Sequence, residues 1–168
     1  MERENATTLM GKPMTLAGPE LKPGDPAPDF QCVDVGMKPV NLEATGKGVR
    51  IFSVVPSLDT PVCDMQTKRF NQETMQMAGV DVYTISMDLP FAQKRWGSAF
   101  DVDRVTMLSD HRDASFGTNY GTLIKELRIE SRAIFVVGKN NKILYAEYVK
   151  EVADHPNYEA ALAAAKSS

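Results

Sequence analysis

The chain has 168 residues, of which 43% are hydrophobic and 24% charged, with a formal net charge of −3 at pH 7. These values indicate one soluble globular domain with a full core, and no block of lysine and arginine suggests a nucleic-acid or membrane-surface partner. No apolar run approaches the roughly 18 residues that a membrane-spanning helix needs.

The N-terminal segment and the cysteine count both bear on the compartment. The first residues, MERENATTLMGKPM, contain no basic stretch followed by an apolar one, so we expect no secretory signal. Two cysteines, Cys32 and Cys63, are too few for a disulfide framework, which favours a reducing cytoplasm. The two histidines, His111 and His155, belong to no cluster of metal ligands, so we expect neither a metal site nor a cofactor.

The first part of the chain alternates turn signals with apolar runs. The runs ATTLM and MTLAG, joined at Gly11-Lys12-Pro13, predict an N-terminal β-hairpin at about residues 6–17. Residues 18–29 are rich in proline and glycine, which predicts a linker that ends in a strand. The run VRIFSVVPS is continuously apolar and β-branched, as expected of a strand buried on both faces.

The remaining patterns predict helices and strands in alternation. A helix is predicted from Pro61 to about Met77, then a buried strand in GVDVYTISMD and a helix in LPFAQKRWGSAF. VTMLSD predicts a short strand, and ASFGTNYG predicts a short helix ending at a glycine. SRAIFVVGKNNKILYAEYV predicts a β-hairpin, and NYEAALAAAKSS predicts a last helix capped by Asn157. This order of elements predicts a single α/β domain spanning residues 1–168.

The segment PSLDTPVC places Cys63 at the start of a predicted helix. Thr60 is a favourable N-cap and Pro61 a favourable first helical residue, which makes Cys63 the third. Backbone N–H groups are unpaired in this turn and the helix dipole is positive there, so the thiolate form of a cysteine is favoured. The apolar strand before it leads to a position where α/β proteins bind ligands. On this evidence alone, Cys63 is equally consistent with a small buried hydrophobe beside a helix cap.

Five neighbours of Cys63 bear on its reactivity. The Thr60 hydroxyl is able to donate to an anion or a bound oxygen, and Pro56 and Pro61 stiffen the loop and exclude water. Asp64 opposes negative charge on the sulfur, and Lys68, one turn further on, offsets that effect.

The spacing Pro56-x-x-x-Thr60-x-x-Cys63 resembles the active-site motif of the peroxiredoxins. The segments SMDLPFAQKRW, LSDHRDASFG and SRAIFVV, together with the N-terminal hairpin, resemble the thiol peroxidase subfamily of atypical two-cysteine peroxiredoxins, over essentially the whole chain. This resemblance implies a thioredoxin-like fold, with a central mixed β-sheet flanked by helices, and a homodimer. It also implies that hydrogen peroxide and organic hydroperoxides are reduced, usually at the expense of thioredoxin.

The resemblance also implies roles for four residues. Cys63 matches the peroxidatic nucleophile, which becomes a sulfenic acid. Thr60 matches the hydroxyl that bonds to the substrate oxygen, Pro56 the residue that shields the sulfur, and Arg132 the arginine that holds thiolate and peroxide. Independently, an arginine near sulfur would stabilise both the anion and the charge that develops on the departing oxygen. Without the resemblance, Arg132 is better interpreted as a surface arginine at a strand start.

Two positions depart from the subfamily pattern or have no place in it. The residue that follows PFAQKRW in the subfamily is the resolving cysteine, and here it is Gly97. Cys32 alternates with Phe30 in a strand-like run and is predicted to be a core side chain. Reduction of an oxidised Cys63 is therefore expected to need an external thiol, either thioredoxin or a small molecule. Leu89, Phe91 and Trp96, in the segment before Gly97, are predicted to be exposed and to pair subunits.

Three other functions stay open at this point. A thioredoxin-type disulfide oxidoreductase is disfavoured because the chain has no Cys-x-x-Cys pair. A redox sensor would pass oxidation from Cys63 to a partner protein. A scaffold that has lost its activity is the least favoured alternative, because the nucleophile and its three supporting residues are all present.

Overall fold

The computed structural model describes residues 1–100, 102 and 104–168. Its larger sheet consists of β3 (Cys32–Val33), β4 (Pro39–Val40), β5 (Val49–Val54), β6 (Val80–Ser86), β7 (Val105–Ser109), β10 (Ala133–Val137) and β11 (Ile143–Tyr148). The strands lie in the order β11-β10-β5-β6-β7-β3-β4. β5, β6 and β7 are mutually parallel, whereas β10, β11, β3 and β4 join them by antiparallel pairing, so the sheet is mixed.

The central strand β5 explains the continuous apolar run of the sequence. All six of its residues are buried. Ile51 and Phe52, adjacent in the strand, belong to two different core clusters, because successive side chains of a strand point to opposite faces. The prediction of a strand covered on both faces is confirmed.

Within the described residues, four helices accompany the sheet, together with a 3₁₀ turn at Glu43–Thr45. They are α1 (Pro61–Thr74), α2 (Pro90–Phe100), α3 (Ser115–Tyr120) and α4 (Tyr158–Lys166). The Asn157 side chain accepts a hydrogen bond from the Ala160 N–H, which confirms the predicted cap of α4. The helix α1 ends three residues before the predicted Met77. None of the helices that the structure describes is long and apolar enough to cross a membrane.

The helices cover both faces of the sheet. Phe70 of α1 and Leu162 of α4 pack in one core cluster, while Phe116 and Tyr120 of α3 pack in the other. The proline-rich segment 18–29 is irregular, as predicted, although the strand expected at its end begins only at Cys32. It is not a free linker, because its buried apolar residues Leu21 and Ala27 belong to the same cluster as α3. The predicted α/β architecture is confirmed.

A second, smaller sheet contains the N-terminal hairpin. β1 (Glu2–Leu9) and β2 (Lys12–Ala17) pair as predicted, and β8 (Leu123–Ile124) and β9 (Ile129–Glu130) extend them into the order β1-β2-β8-β9. β8 and β9 were not predicted from the sequence, because strands of two residues are too short to show periodicity. A single residue separates the end of β9 from Arg132, so this sheet helps to fix the position of that side chain.

Candidate active site

Cys63 lies in the first turn of α1, where the chain enters from the carboxyl end of β5. Thr60 is the N-cap, with extended backbone angles (φ −104°, ψ 150°), and Pro61 is the first helical residue, as predicted. The Thr60 carbonyl accepts the N–H of Asp64 at 3.0 Å, which closes the first turn of the helix. The Cys63 side chain is fully buried, against Leu58 and Trp96 among others.

Arg132 reaches the sulfur from the start of β10. Its Nη2 donates to Cys63 Sγ at 3.3 Å, its Nη1 to Gln66 Oε1 at 2.9 Å and its Nε to the Val152 carbonyl at 2.6 Å. Arg132 is 2% exposed, so the interpretation as a surface arginine is wrong. None of the ion pairs formed by the described residues involves Arg132, and its charge faces the sulfur without a neutralising carboxylate.

The register of the sheet explains this contact. β10 pairs antiparallel with β5, with Ala133 opposite Val54. Arg132, one residue before Ala133, therefore lies where β5 delivers the chain to the turn that carries Cys63. The two candidate side chains are 69 residues apart in sequence, and the strand pairing brings them together.

Gln66 belongs to the candidate site but was not among the residues predicted from the sequence. Its Oε1 accepts from Arg132, and its Nε2 donates to the Ser53 hydroxyl at 2.7 Å. All three residues are buried, so a series of hydrogen bonds from Ser53 through Gln66 fixes the plane of the guanidinium. Two signals could have found it: Gln66 follows Cys63 by three residues, which places both on one helix face, and Ser53 is a polar residue within the apolar run of β5.

Thr60 and Pro56 lie on the loop before α1. Pro56 is buried, and Thr60 is exposed. The Thr60 hydroxyl donates to the Ser57 carbonyl at 3.0 Å and does not cap the helix with its side chain. The expected donor to an anion has therefore given its single proton to the backbone.

The helix α2 packs against the first turn of α1 through Trp96. The Trp96 indole N–H donates to Asp64 Oδ1 at 3.1 Å, and Lys68 forms the expected ion pair with Asp64 at 2.9 Å. Trp96 is only 4% exposed, so its predicted exposure is wrong, because the ring fills the space beside Cys63. Leu89 and Phe91 are exposed as predicted, by 53% and 72%.

Neither Gly97 nor Cys32 offers a second sulfur to Cys63. Gly97 lies in α2, beside the Met107 side chain, and lines an open cleft of about 440 Å³. Cys32 is buried in the core as predicted, with its Sγ 3.6 Å from Asp110 Oδ1, and burial raises the pKa of its thiol. Both cysteines are free.

Comparison with known proteins connects this geometry to a family. The redoxin family model matches residues 22–162. A thiol peroxidase of Bacillus subtilis (strain 168) is 52% identical over 160 residues, which cover 95% of this chain and 96% of the relative. A thiol peroxidase of Halalkalibacterium halodurans is 50% identical over 161 residues, which cover 96% of this chain and 97% of the relative.

Solved structures agree with the fold. A peroxiredoxin-like protein from Aquifex aeolicus has a TM-score of 0.90 at 40% identity, and the match covers 97% of this chain and 96% of that one. A thiol peroxidase from Chromobacterium violaceum has a TM-score of 0.85 at 20% identity, with 92% and 91% covered, and supports the fold alone. The thioredoxin-like fold expected from the sequence is confirmed. The chain belongs to the redoxin family and, within it, to the thiol peroxidases of the peroxiredoxins.

Proposed function

We propose that Cys63 is the nucleophile with which this thiol-dependent peroxidase reduces hydrogen peroxide and organic hydroperoxides. The Cys63 thiolate attacks the terminal oxygen of R–O–O–H, so that an S–O bond forms and the O–O bond breaks. The departing RO⁻ takes up a proton and leaves as alcohol or water, and Cys63 becomes a sulfenic acid. The observation that carries the proposal is the 3.3 Å contact between Arg132 Nη2 and Cys63 Sγ.

Arg132 stabilises charge at two stages of this reaction. Beside the sulfur, its guanidinium favours the anionic nucleophile, and its remaining surface faces the oxygen on which negative charge develops. The bonds to Gln66 and Val152 hold the group in place before the substrate arrives, so no reorganisation is needed during attack.

Thr60 and Pro56 act on the substrate side. Because the Thr60 hydroxyl donates its proton to the Ser57 carbonyl, its lone pairs are available to accept the O–H of the hydroperoxide. The buried ring of Pro56 keeps water from the sulfur.

The matched test compares two serine variants. Cys63→Ser should abolish peroxide consumption while circular dichroism stays unchanged, and Cys32→Ser should keep the wild-type rate, because Cys32 is a core side chain. Appreciable turnover by Cys63→Ser would contradict the assignment of the nucleophile.

The reductant is an external thiol. Gly97 carries no sulfur and Cys32 is buried on a sheet strand, so the sulfenic acid is resolved by two thiols from thioredoxin or from a small molecule. The first forms a mixed disulfide with release of water, and the second releases Cys63 as the thiol. Rates of peroxide consumption with thioredoxin and with dithiothreitol, at equal thiol concentration, distinguish these two donors.

The same lack of an internal partner favours a second function, transfer of oxidation to another protein. A sulfenic acid that no residue of this chain resolves is available to a partner's thiol. Mixed disulfides trapped with Cys63 under peroxide would support such a relay, whereas rapid turnover with a small thiol and no trapped protein would contradict it.

We also propose a homodimer in a reducing, cytoplasmic compartment. The exposed side chains of Leu89 and Phe91 support subunit contact close to the loop that carries Thr60, and the two free cysteines support the compartment.

A further inference from the structure

Asp88, in the loop between β6 and α2, is bonded to the loop that precedes Cys63. Its Oδ1 accepts a hydrogen bond from the Ser57 hydroxyl at 2.7 Å. Its Oδ2 accepts one from the Leu58 N–H at 2.8 Å and one from the Ser86 hydroxyl at 2.8 Å. Two of the three donors thus belong to the segment between β5 and α1, about 30 residues earlier in the chain.

Asp88 is held at the carboxyl ends of two strands of the main sheet. The Ser109 hydroxyl donates to the Asp88 carbonyl at 2.6 Å, and the Asp88 N–H donates to the Ser86 hydroxyl at 3.3 Å. Ser86 and Ser109 are the last residues of the parallel strands β6 and β7, and they are paired in register. Asp88 is therefore held by two strand ends and is not carried on a free loop.

Ser57 connects Asp88 to Thr60 through hydrogen bonds. The Ser57 carbonyl accepts both the Thr60 hydroxyl, at 3.0 Å, and the Thr60 N–H, at 3.3 Å. The Ser57 hydroxyl donates its only proton to Asp88 and accepts the Asp59 N–H at 3.2 Å. Since a hydroxyl has a single proton, the direction of each bond from Asp88 through Ser57 to Thr60 is fixed.

We propose that Asp88 is a positioning residue for the peroxidase reaction. Through Ser57, it holds the Thr60 hydroxyl so that its lone pairs face the O–H of the bound hydroperoxide. The inference rests on the role proposed above for Thr60. Asp88 does not touch the sulfur, whose hydrogen-bond partner among the described residues is Arg132.

This role predicts that loss of Asp88 affects two reactions of Cys63 differently, namely its attack on peroxide and its alkylation. A displacement of about 1 Å at a substrate-binding group costs on the order of 100-fold in rate. Loss of the Asp88 anchor should therefore slow attack on peroxide. Alkylation of the same sulfur by iodoacetamide should not be slowed, because it needs the thiolate and Arg132 but makes no use of the Thr60 hydroxyl.

The experiment measures both rates in Asp88→Ala, Thr60→Val and the double variant. We expect Asp88→Ala to slow sulfenic acid formation at least tenfold and not to slow alkylation. In the Thr60→Val background, Asp88→Ala should slow peroxide attack by less than twofold, because the group that it positions is already gone. Arg95→Ala is the matched control, since it removes the exposed contact of α2 with Asp59 on the same loop and should leave both rates unchanged.

Three results would overturn the inference: a wild-type peroxide rate in Asp88→Ala, an equal loss of both rates, or full multiplication of the two effects in the double variant. If Asp88→Ala does not fold, Ser57→Ala breaks the same series at its next member and should give the same separation of rates. Failure of the proposed role of Thr60 has a different signature, because Thr60→Val alone would then keep the wild-type peroxide rate. Failure of the peroxidase assignment itself would appear as peroxide consumption by Cys63→Ser.

Discussion

At the scale of the residue, Arg132 combines a charge with a fixed geometry. Its three bonded nitrogens face a sulfur, a side-chain amide and a backbone carbonyl. A lysine has the same charge but carries it on one nitrogen at the end of a flexible chain, so it cannot serve all three partners. The site therefore depends on the shape of the guanidinium as well as on its charge.

We predict that Arg132→Lys lowers the second-order rate of sulfenic acid formation by about 10²–10³-fold, the cost of removing one preorganised donor from a developing charge. The rate would be measured by stopped flow with hydrogen peroxide, and Arg95→Lys, on the exposed face of α2, is the control. A rate within threefold of the wild type would show that charge alone suffices.

Glu130 provides a second residue-scale prediction, on stability. It is fully buried, accepts the Thr122 hydroxyl at 2.6 Å, and lies against the carboxyl group of Asp110. Burial, followed by the hydrogen bond to Asp110 and its charge, raises the pKa of Glu130 well above its usual value. Asp110 itself accepts the N–H groups of Phe116 and Gly117, and the raised pKa of Glu130 favours its protonated form beside that carboxyl group.

The sign of the pH effect follows from this raised pKa. The folded protein binds the Glu130 proton more tightly than the unfolded chain, in which glutamate titrates near pH ~4.3. This contribution to stability is full below that pH and is lost as pH rises towards the folded-state pKa. We expect the free energy of unfolding of the wild type, relative to Glu130→Gln, to fall steadily as the pH rises from about pH 5 towards neutrality. Urea titrations across this range test it, and parallel curves for the two proteins would contradict it.

At the scale of the element, α2 packs against the first turn of α1 and covers Cys63 on one side. Trp96 bonds to Asp64, and the cluster around Cys63 includes side chains from both helices and from β7. The chain differs from its subfamily pattern at the next residue of α2, Gly97. The structure leaves room there, because an added Cβ would be 3.4 Å from the Met107 methyl group, an ordinary contact distance.

We predict that Gly97→Cys folds normally and restores an intramolecular disulfide with Cys63. The two Cα atoms must come within about 7 Å for that bond, and a helix start such as the first turn of α1 opens more readily than a paired strand. One equivalent of peroxide should then join the sulfur of Cys63 to the sulfur introduced at position 97, seen in a non-reduced digest, and thioredoxin should support turnover.

The wild-type protein is the reference for this test. One equivalent of peroxide should leave a sulfenic acid that dimedone labels at Cys63, and excess peroxide should convert it to sulfinic acid. A quantitative Cys32–Cys63 disulfide would make Cys32 a displaced resolving residue, and neither disulfide nor thioredoxin turnover in Gly97→Cys would show that position 97 has been assigned wrongly.

At the scale of the whole molecule, apolar side chains remain on the surface near the site. Leu89 and Phe91 lie at the start of α2, and Phe100 at its other end is 46% exposed. Exposed apolar side chains concentrated on one helix are typical of a contact surface.

We predict a homodimer through this region. Light scattering at micromolar concentration should give about twice the 18.5 kDa of one chain, and Phe91→Asp should give the monomer because it would bury a charge in the contact. Met10→Asp, on the N-terminal hairpin, is the control for a general effect of added charge. A single species of one chain mass in the wild type would contradict the pairing.

The main fold could be predicted where local pattern and tertiary packing agree. β5 and β6 have apolar runs long enough to show that they are buried, and Thr60, Pro61 and Asn157 are local signals of helix starts. The strands β8 and β9 could not be predicted, because two residues form a strand only when a neighbouring edge pairs with them. The burial of Trp96 was predicted wrongly, since its helix position alone does not show which neighbour covers it.

The sequence by itself determined that a cysteine stands in the first turn of a helix, after a buried strand, with no second sulfur at position 97. These are local facts, set by residue type and spacing along the chain. The tertiary structure decided that Arg132 faces that sulfur, that Gln66 and Ser53 hold the guanidinium, and that Asp88 anchors the loop before it. Each of these contacts joins side chains brought together by strand register or by the meeting of loops at one sheet edge, and neither distance nor direction between such segments is encoded in any single run of residues.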